Sequence, residues 1–163
     1  MAKTGRPYMP EYGIQPPTPE AGLLPWSFIS ERMAAARNYW LATASTAGEP
    51  QAAPVWGIWV KEQFFFSTAE NSRKGRNLAA NPQLVLHLES GDEAVILEGV
   101  VEAVPEGSEF DLLNKTYYAK YGVSLTTQNP VYRLLVRKAF AWRERDFPTS
   151  ATRWCFDDQE EGL

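Results

Sequence analysis

Apolar and polar positions alternate in short runs through the middle of the chain, a period of two that predicts β-strands. Asn38–Ser45 leads through a Thr46-Ala47-Gly48-Glu49 turn into Gln51–Val60, and the polar break Lys61-Glu62-Gln63 returns the chain through Phe64–Thr68. Runs this closely spaced predict antiparallel hairpins. Two further strands are predicted at Gln83–Glu89 and Glu93–Val104, joined at Ser90-Gly91-Asp92, and a last pair at Val131–Arg143 and Ser150–Phe156. Helical spacing appears three times. Trp26, Ile29, Met33 and Ala36 predict a helix over Trp26–Arg37, and Phe110, Leu113, Tyr117 and Tyr121 one over Glu106–Tyr121. A short helix over Ser72–Ala80 is closed by Asn81-Pro82. Strands at this spacing predict a mainly β fold, a small antiparallel barrel with helices over its ends.

Within Gln51–Val60, alternation puts Val55, Gly57 and Trp59 on one face and Trp56, Ile58 and Val60 on the other. A glycine in mid-strand predicts either a bulge or close approach by a ligand. His87 alternates with Val85 and Glu89 and reads as a structural or interface histidine; Cys155, between Trp154 and Phe156, reads as a buried, inert thiol.

Residues 1–25 hold six of the twelve prolines, which rules out helix or central strand there. They are expected to form an extended arm, disordered or laid across a partner surface. The organisation read from the sequence is an arm at 1–25, one domain at 26–156 and an acidic tail at 157–163. At 163 residues the chain is about one domain long.

Composition removes several function classes. No apolar run approaches the ~18 residues of a membrane span. The first residues lack an apolar signal stretch, and one thiol needs no oxidising compartment, so the cytoplasm is expected. A single cysteine excludes an internal disulfide and multi-cysteine metal sites, and a single histidine excludes paired-histidine sites. The net charge of −4 gives no global attraction to nucleic acid, which weakens a reading of the aromatics as base-stacking platforms. Arg133, Arg137, Lys138, Arg143 and Arg145 nevertheless crowd one segment.

The densest chemistry lies between Phe66 and Leu78. A strand ends in the hydroxyls of Ser67 and Thr68, and a short loop then delivers Ser72, Arg73 and Lys74 to a helix start. Helix N-termini carry unpaired N–H groups and partial positive charge, so they accept phosphate well. Two cations there oppose the helix dipole, and an anionic ligand would relieve the conflict. The alternative is a Ser72 cap with solvated cations beside it.

The run Glu70–Pro82 (ENSRKGRNLAANP) closely resembles the flavin-phosphate loop of the pyridoxamine 5′-phosphate oxidase-like family. The likeness extends from about Asn38 to Val104 and returns at Tyr132–Phe156. It implies an FMN-binding split β-barrel, homodimeric, with FMN or the deazaflavin coenzyme F-420 as cofactor. By the same resemblance Ser72, Arg73 and Lys74 hold the cofactor phosphate, and Val55, Trp56, Gly57, Ser67 and Thr68 lie along the ring. Trp142 is similar to the family's tryptophan that reaches the flavin from the second subunit. Arg153, eleven residues later, becomes a cofactor contact if one inserted residue is allowed.

The departures fall in the substrate half. The family's strand arginine and lysine correspond to Ala52 and Gly57, and its Arg-x-His to Pro148-Thr149-Ser150. The resemblance therefore implies an FMN-dependent oxidoreductase acting on a small organic molecule, and not a true pyridoxamine phosphate oxidase. The rivals are a deazaflavin-dependent reductase and a non-catalytic protein binding flavin or a heme-like ring. No residue stands out as a catalytic acid; water, Ser67 or Thr68 are the available proton sources.

Overall fold

The longest alternating runs become the two longest strands, of 11 and 13 residues, paired antiparallel along their length. The computed structural model describes residues 2–156, so the acidic tail expected at 157–163 lies outside the described residues. In chain order these residues form β1 (Lys3–Gly5), α1 (Ser27–Ala35), β2 (Tyr39–Ala44), β3 (Pro50–Val55), β4 (Ile58–Val60) and β5 (Gln63–Ser67). Then follow α2 (Arg73–Ala80), β6 (Gln83–His87), β7 (Glu93–Ala103), α3 (Ser108–Tyr121), β8 (Val131–Arg143), α4 (Phe147–Ser150) and β9 (Thr152–Cys155).

The sheet runs β1-β9-β8-β7-β6-β2-β3, with β4 on β5 and β5 back on β8. Strand β8 pairs with β7 along one edge, and β5 and β9 share the other. Its first residues pair with β5 (Phe64 opposite Leu134), and its later ones with β9 (Phe140 opposite Arg153). The circuit from β8 through β7, β6, β2 and β3 returns to β8 through β4 and β5, so it closes only across Trp56-Gly57. The architecture is the mainly β barrel expected.

Three expectations are corrected. Gln51–Val60 is not one strand: the chain bends at Trp56-Gly57, β3 staying with β2 and β4 joining β5. The two-face alternation across residues 55–60 ends at that bend, and both Gly57 and Ile58 are buried. The arm is not disordered. It lies on its own chain, with Thr4 opposite Trp154 at the sheet edge and Leu24 in the core. The Arg6 guanidinium explains this, donating to the carbonyls of Gln15 (2.8 Å), Ala151 (2.9 Å) and Ala21 (3.0 Å). Its rigid fork of donors ties two carbonyls of the arm to one beside β9. Cys155 is half-buried, not buried.

The barrel interior is filled by Tyr39, Leu41, Phe64, Phe66, Leu86, Val95, Leu97 and Leu134, and α1 adds Phe28, Ile29 and Met33. A second cluster of Ile58, Phe65, Leu113, Leu125 and Val131 packs α3 on the outside, with Phe110, Tyr117 and Tyr121 partly buried against it. The helical face read for α3 is the face it packs. Two cations of the basic segment are paired: Arg133 with Glu102 (2.8 Å) and Glu109 (2.9 Å), and Arg143 with Asp146 (2.7 Å).

Candidate functional site

The loop between β5 and α2 is built by hydroxyls. Ser72 caps α2: its Oγ accepts from the Gly75 N–H (3.0 Å), donates to the Ala69 carbonyl (2.7 Å), and lies 3.3 Å from Thr68 Oγ1. The Arg76 N–H makes the bond to the Ser72 carbonyl (2.9 Å), so the amides of Arg73 and Lys74 precede it as first-turn donors. A Cβ at Gly75 would lie 2.2 Å from the Ala69 carbonyl oxygen, so the tight wrap of the loop requires glycine. The helix is pinned to β2 by Asn77, whose Nδ2 donates to Thr43 Oγ1 (3.1 Å) with both side chains buried.

The charges at this helix start suit an anion. The first turn of α2 carries no acid. Burial pushes the Lys74 amine below the usual lysine range. Arg73, exposed, reaches the Pro50 carbonyl at the start of β3 (3.4 Å). Two cations, two first-turn amides and a hydroxyl pair at one helix start fit a phosphate group.

The strand side of the site differs from its sequence reading. Val55 is half-buried opposite Tyr39, and the Trp56 indole stacks on Tyr121 with centroids 4.6 Å apart and planes 6° apart. A Cβ at Gly57 would lie 2.3 Å from Phe64 Cε2 and 2.9 Å from the Phe65 carbonyl oxygen. Phe64, fully buried, is therefore why position 57 is glycine, and no space for a ligand opens there. Ser67 ends β5, two residues past Phe65, the partner of Ile58. Its hydroxyl donates to the Pro130 carbonyl (3.0 Å). Ser67 and Thr68 also line a cleft of about 250 Å³ with Tyr117, Leu125, Thr126 and Asn129.

A cluster the sequence did not reveal adjoins this strand. Lys120 Nζ donates to Tyr39 Oη (2.8 Å) and to the Gly57 carbonyl (2.9 Å). The Tyr121 hydroxyl accepts from the Gly57 N–H (3.0 Å) and lies within donating distance of the Arg37 (2.7 Å) and Gly57 (2.8 Å) carbonyls. Burial, and then the charge of Arg37, push the Lys120 amine down to about 8. Burial likewise raises the Tyr39 phenol. No local motif marks these residues, because they come from the α1–β2 link, β2 and the end of α3.

Trp142 and Arg153 lie elsewhere in the chain. Ser67 is opposite Val131 at the start of β8, whereas Trp142 is opposite Ala94 near its end. At ~3.3 Å per residue that is roughly 35 Å along one strand. Trp142 meets Phe147 edge-on (5.5 Å), and Phe147 meets Tyr12 of the arm (6.3 Å). One chain thus gathers Val55, Trp56, Gly57, Ser67, Thr68, Ser72, Arg73 and Lys74 at one end and leaves Trp142 and Arg153 at the other.

The two ends are linked across the outside of the sheet. Register places Pro54, Trp40, His87, Ile96, Phe140 and Arg153 in one row from β3 to β9. Trp40 and His87 stack with planes 3° apart, and none of the six is buried. Among the described residues no cluster of His, Cys, Asp and Glu suits a metal ion, and no helix is long and apolar enough to cross a membrane.

The sequence model of the pyridoxamine 5′-phosphate oxidase family matches residues 28–146, which include the whole α2 loop and most of the barrel. The chain belongs to that family. Solved structures with the same fold include a conserved hypothetical protein of Mycobacterium tuberculosis, 21% identical, with a TM-score of 0.67 over 80% of this chain and 91% of that one. An FAD-binding protein of Mesorhizobium loti is 16% identical, with a TM-score of 0.60 over 81% of this chain and 96% of that one. A heme-binding protein of Mycobacterium smegmatis is 23% identical, with a TM-score of 0.60 over 73% of this chain and 55% of that longer one. At these identities the likeness is one of fold. No curated protein matched this sequence.

Proposed function

We propose that this family member is an FMN-dependent oxidoreductase acting on a small organic molecule. The observation that carries the reading is the α2 start, where Arg73, Lys74, their amides and the Ser72–Thr68 hydroxyls converge without an acidic neighbour in the first turn. Those groups would hold the cofactor phosphate, and Val55, Trp56, Ser67 and Thr68 would flank the ring. When bound, the flavin supplies the hydride or electron-pair chemistry, and the protein supplies orientation and exclusion of water. Ser67 and Thr68 are the hydroxyls available near the ring strand.

The site is completed, on this reading, by a second copy of the chain. The roughly 35 Å that separates Ser67 from Trp142 along β8 is too long for both to meet one cofactor within one chain. A partner docked on the outer row from Pro54 to Arg153 would bring its own Trp142 and Arg153 toward the ring and cover Trp40, Ile96 and Phe140.

The substrate is not pyridoxamine 5′-phosphate in this proposal. Ala52 and Gly57 supply no charge, and Pro148-Thr149-Ser150 form a helical turn where the family's Arg-x-His would be. A doubly charged substrate phosphate needs matched cationic partners.

Absorption spectroscopy of the purified protein, followed by titration with FMN and with the deazaflavin, tests the cofactor. Flavin bands, or saturable quenching of FMN fluorescence, support the reading. Binding of the deazaflavin alone moves the chain to the reductases that use it. A Soret band on adding hemin, with neither flavin bound, replaces the proposal with a heme-binding one.

A further inference from the structure

Arg37 and Lys120 form a cationic pair beside one aromatic stack. Among the described residues neither makes an ion pair. Arg37 Cζ lies 5.4 Å from the ring centres of both Trp56 and Tyr121, and Lys120 Nζ lies 5.2 Å from that of Tyr121. Two like charges thus share one aromatic stack. Trp56, the outer member, is more than a third exposed and meets no ring of the described residues other than Tyr121.

The pair is costly as it stands. Lys120 is drawn out of water and feels the charge of Arg37, and both effects disfavour its charged form. Its ammonium carries three donors and spends two, on Tyr39 Oη and the Gly57 carbonyl. Its like-charged neighbour, Arg37, is exposed, and its guanidinium lies over the two aromatic faces. An anion beside the stack would offset the repulsion, take the third Lys120 donor and offer Arg37 a planar partner.

We infer that Arg37, Lys120 and the Trp56–Tyr121 stack form a recognition site for a planar, conjugated carboxylate. The stack supplies a flat apolar surface and the two cations supply charge. The Gly57 carbonyl held by Lys120 belongs to the segment proposed to flank the flavin ring. Carried onto that reading, the site is the substrate half, its cations drawn from the α1–β2 link and α3 in place of charges absent from the strand. That assignment as substrate site rests on the flavin proposal; the anion site itself does not.

The test uses 2-naphthoate and its uncharged analogue 2-naphthamide, titrated calorimetrically into the full chain, first cofactor-free and then with saturating FMN. Naphthoate should bind at least about tenfold tighter than the amide, the scale of one charge-assisted bond. Arg37→Gln, at an exposed position, should cost naphthoate about fivefold and leave the amide unchanged, as for an exposed ion pair. Lys120→Met should cost more. Because Lys120 also ties α3 to β2, circular dichroism must show that variant folded, and Arg37→Gln carries the test if it is not. Wild-type affinity for naphthoate, but not for the amide, should fall as pH rises past 8. Equal affinity for acid and amide, or an Arg37→Gln variant that binds naphthoate as wild type does, overturns the inference. Discrimination in a protein that binds no flavin sustains the anion site and removes the flavin reading; flavin binding without discrimination removes the anion site alone.

Discussion

Phe64 occupies the place that a side chain at position 57 would take, with its Cε2 2.3 Å from a Cβ built on Gly57. Phe64 is fully buried and packed between Tyr39 (4.6 Å) and Phe66 (5.7 Å), so its ring has nowhere to move. Gly57→Ala should therefore destabilise the fold by about 1–3 kcal/mol, the usual cost of overpacking. Urea unfolding measures it. A variant as stable as wild type would mean that the β3–β4 bend adapts freely.

Lys74 should dominate the hold on a cofactor phosphate, being the half-buried cation at the α2 start. Lys74→Ala is expected to weaken FMN binding by about 1.5–3 kcal/mol, the range for bonds to charged groups. The more exposed Arg73→Ala should cost less. Fluorescence titration of FMN against the three proteins ranks them. Unchanged affinity in Lys74→Ala would remove that residue from the site.

A homodimer through the outer sheet face should run in light scattering at about twice 18.4 kDa. Ile96 sits mid-row between His87 and Phe140 and is half-buried in one chain, so Ile96→Glu should leave the fold intact and yield monomers. Cofactor affinity should fall with the loss of the partner's Trp142 and Arg153. A monomeric variant with wild-type affinity would confine the site to one chain.

The lowered Lys120 amine makes stability depend on pH in the alkaline range. Its folded value of about 8 lies below the ordinary 10.5, so between these values the unfolded chain binds the extra proton. Stability from this group therefore rises with pH across that window and is lost as pH falls through about 8. Tyr39, whose phenol is raised by burial, acts oppositely only above about pH 10, where the unfolded phenol ionises. The melting temperature of wild type minus that of Lys120→Met should climb from pH 7.5 to 9.5. A flat difference would place Lys120 in ordinary solvent.

How much could be read in advance follows from which interactions are local. The α2 start was legible because its parts are neighbours: the strand end, Ser72 as cap, Gly75 under the loop, and the cations three residues or fewer apart. Helix α3 was legible because its apolar face repeats at helical spacing. The Trp142–Arg153 end was legible only as a resemblance, since nothing in either residue's own surroundings says what it would meet. Gly57 was half-legible. A glycine in mid-strand announced close approach, but whether by a ligand or by the protein depended on where Phe64 turns after the Lys61-Glu62 hairpin.

The sequence by itself determined the alternation that makes strands, the capped helix that gathers Ser72, Arg73 and Lys74, and the absence of paired histidines or cysteines. These are properties of neighbours in the chain, fixed by backbone periodicity and side-chain chemistry within a few residues. Only the tertiary structure decided that Gln51–Val60 breaks in two, that the proline-rich arm folds onto its own sheet, and that Arg37, Trp56, Lys120 and Tyr121 meet. Each of those outcomes depends on barrel closure, which joins residues far apart in sequence, and on a side chain that finds its partner only when the strands are in register.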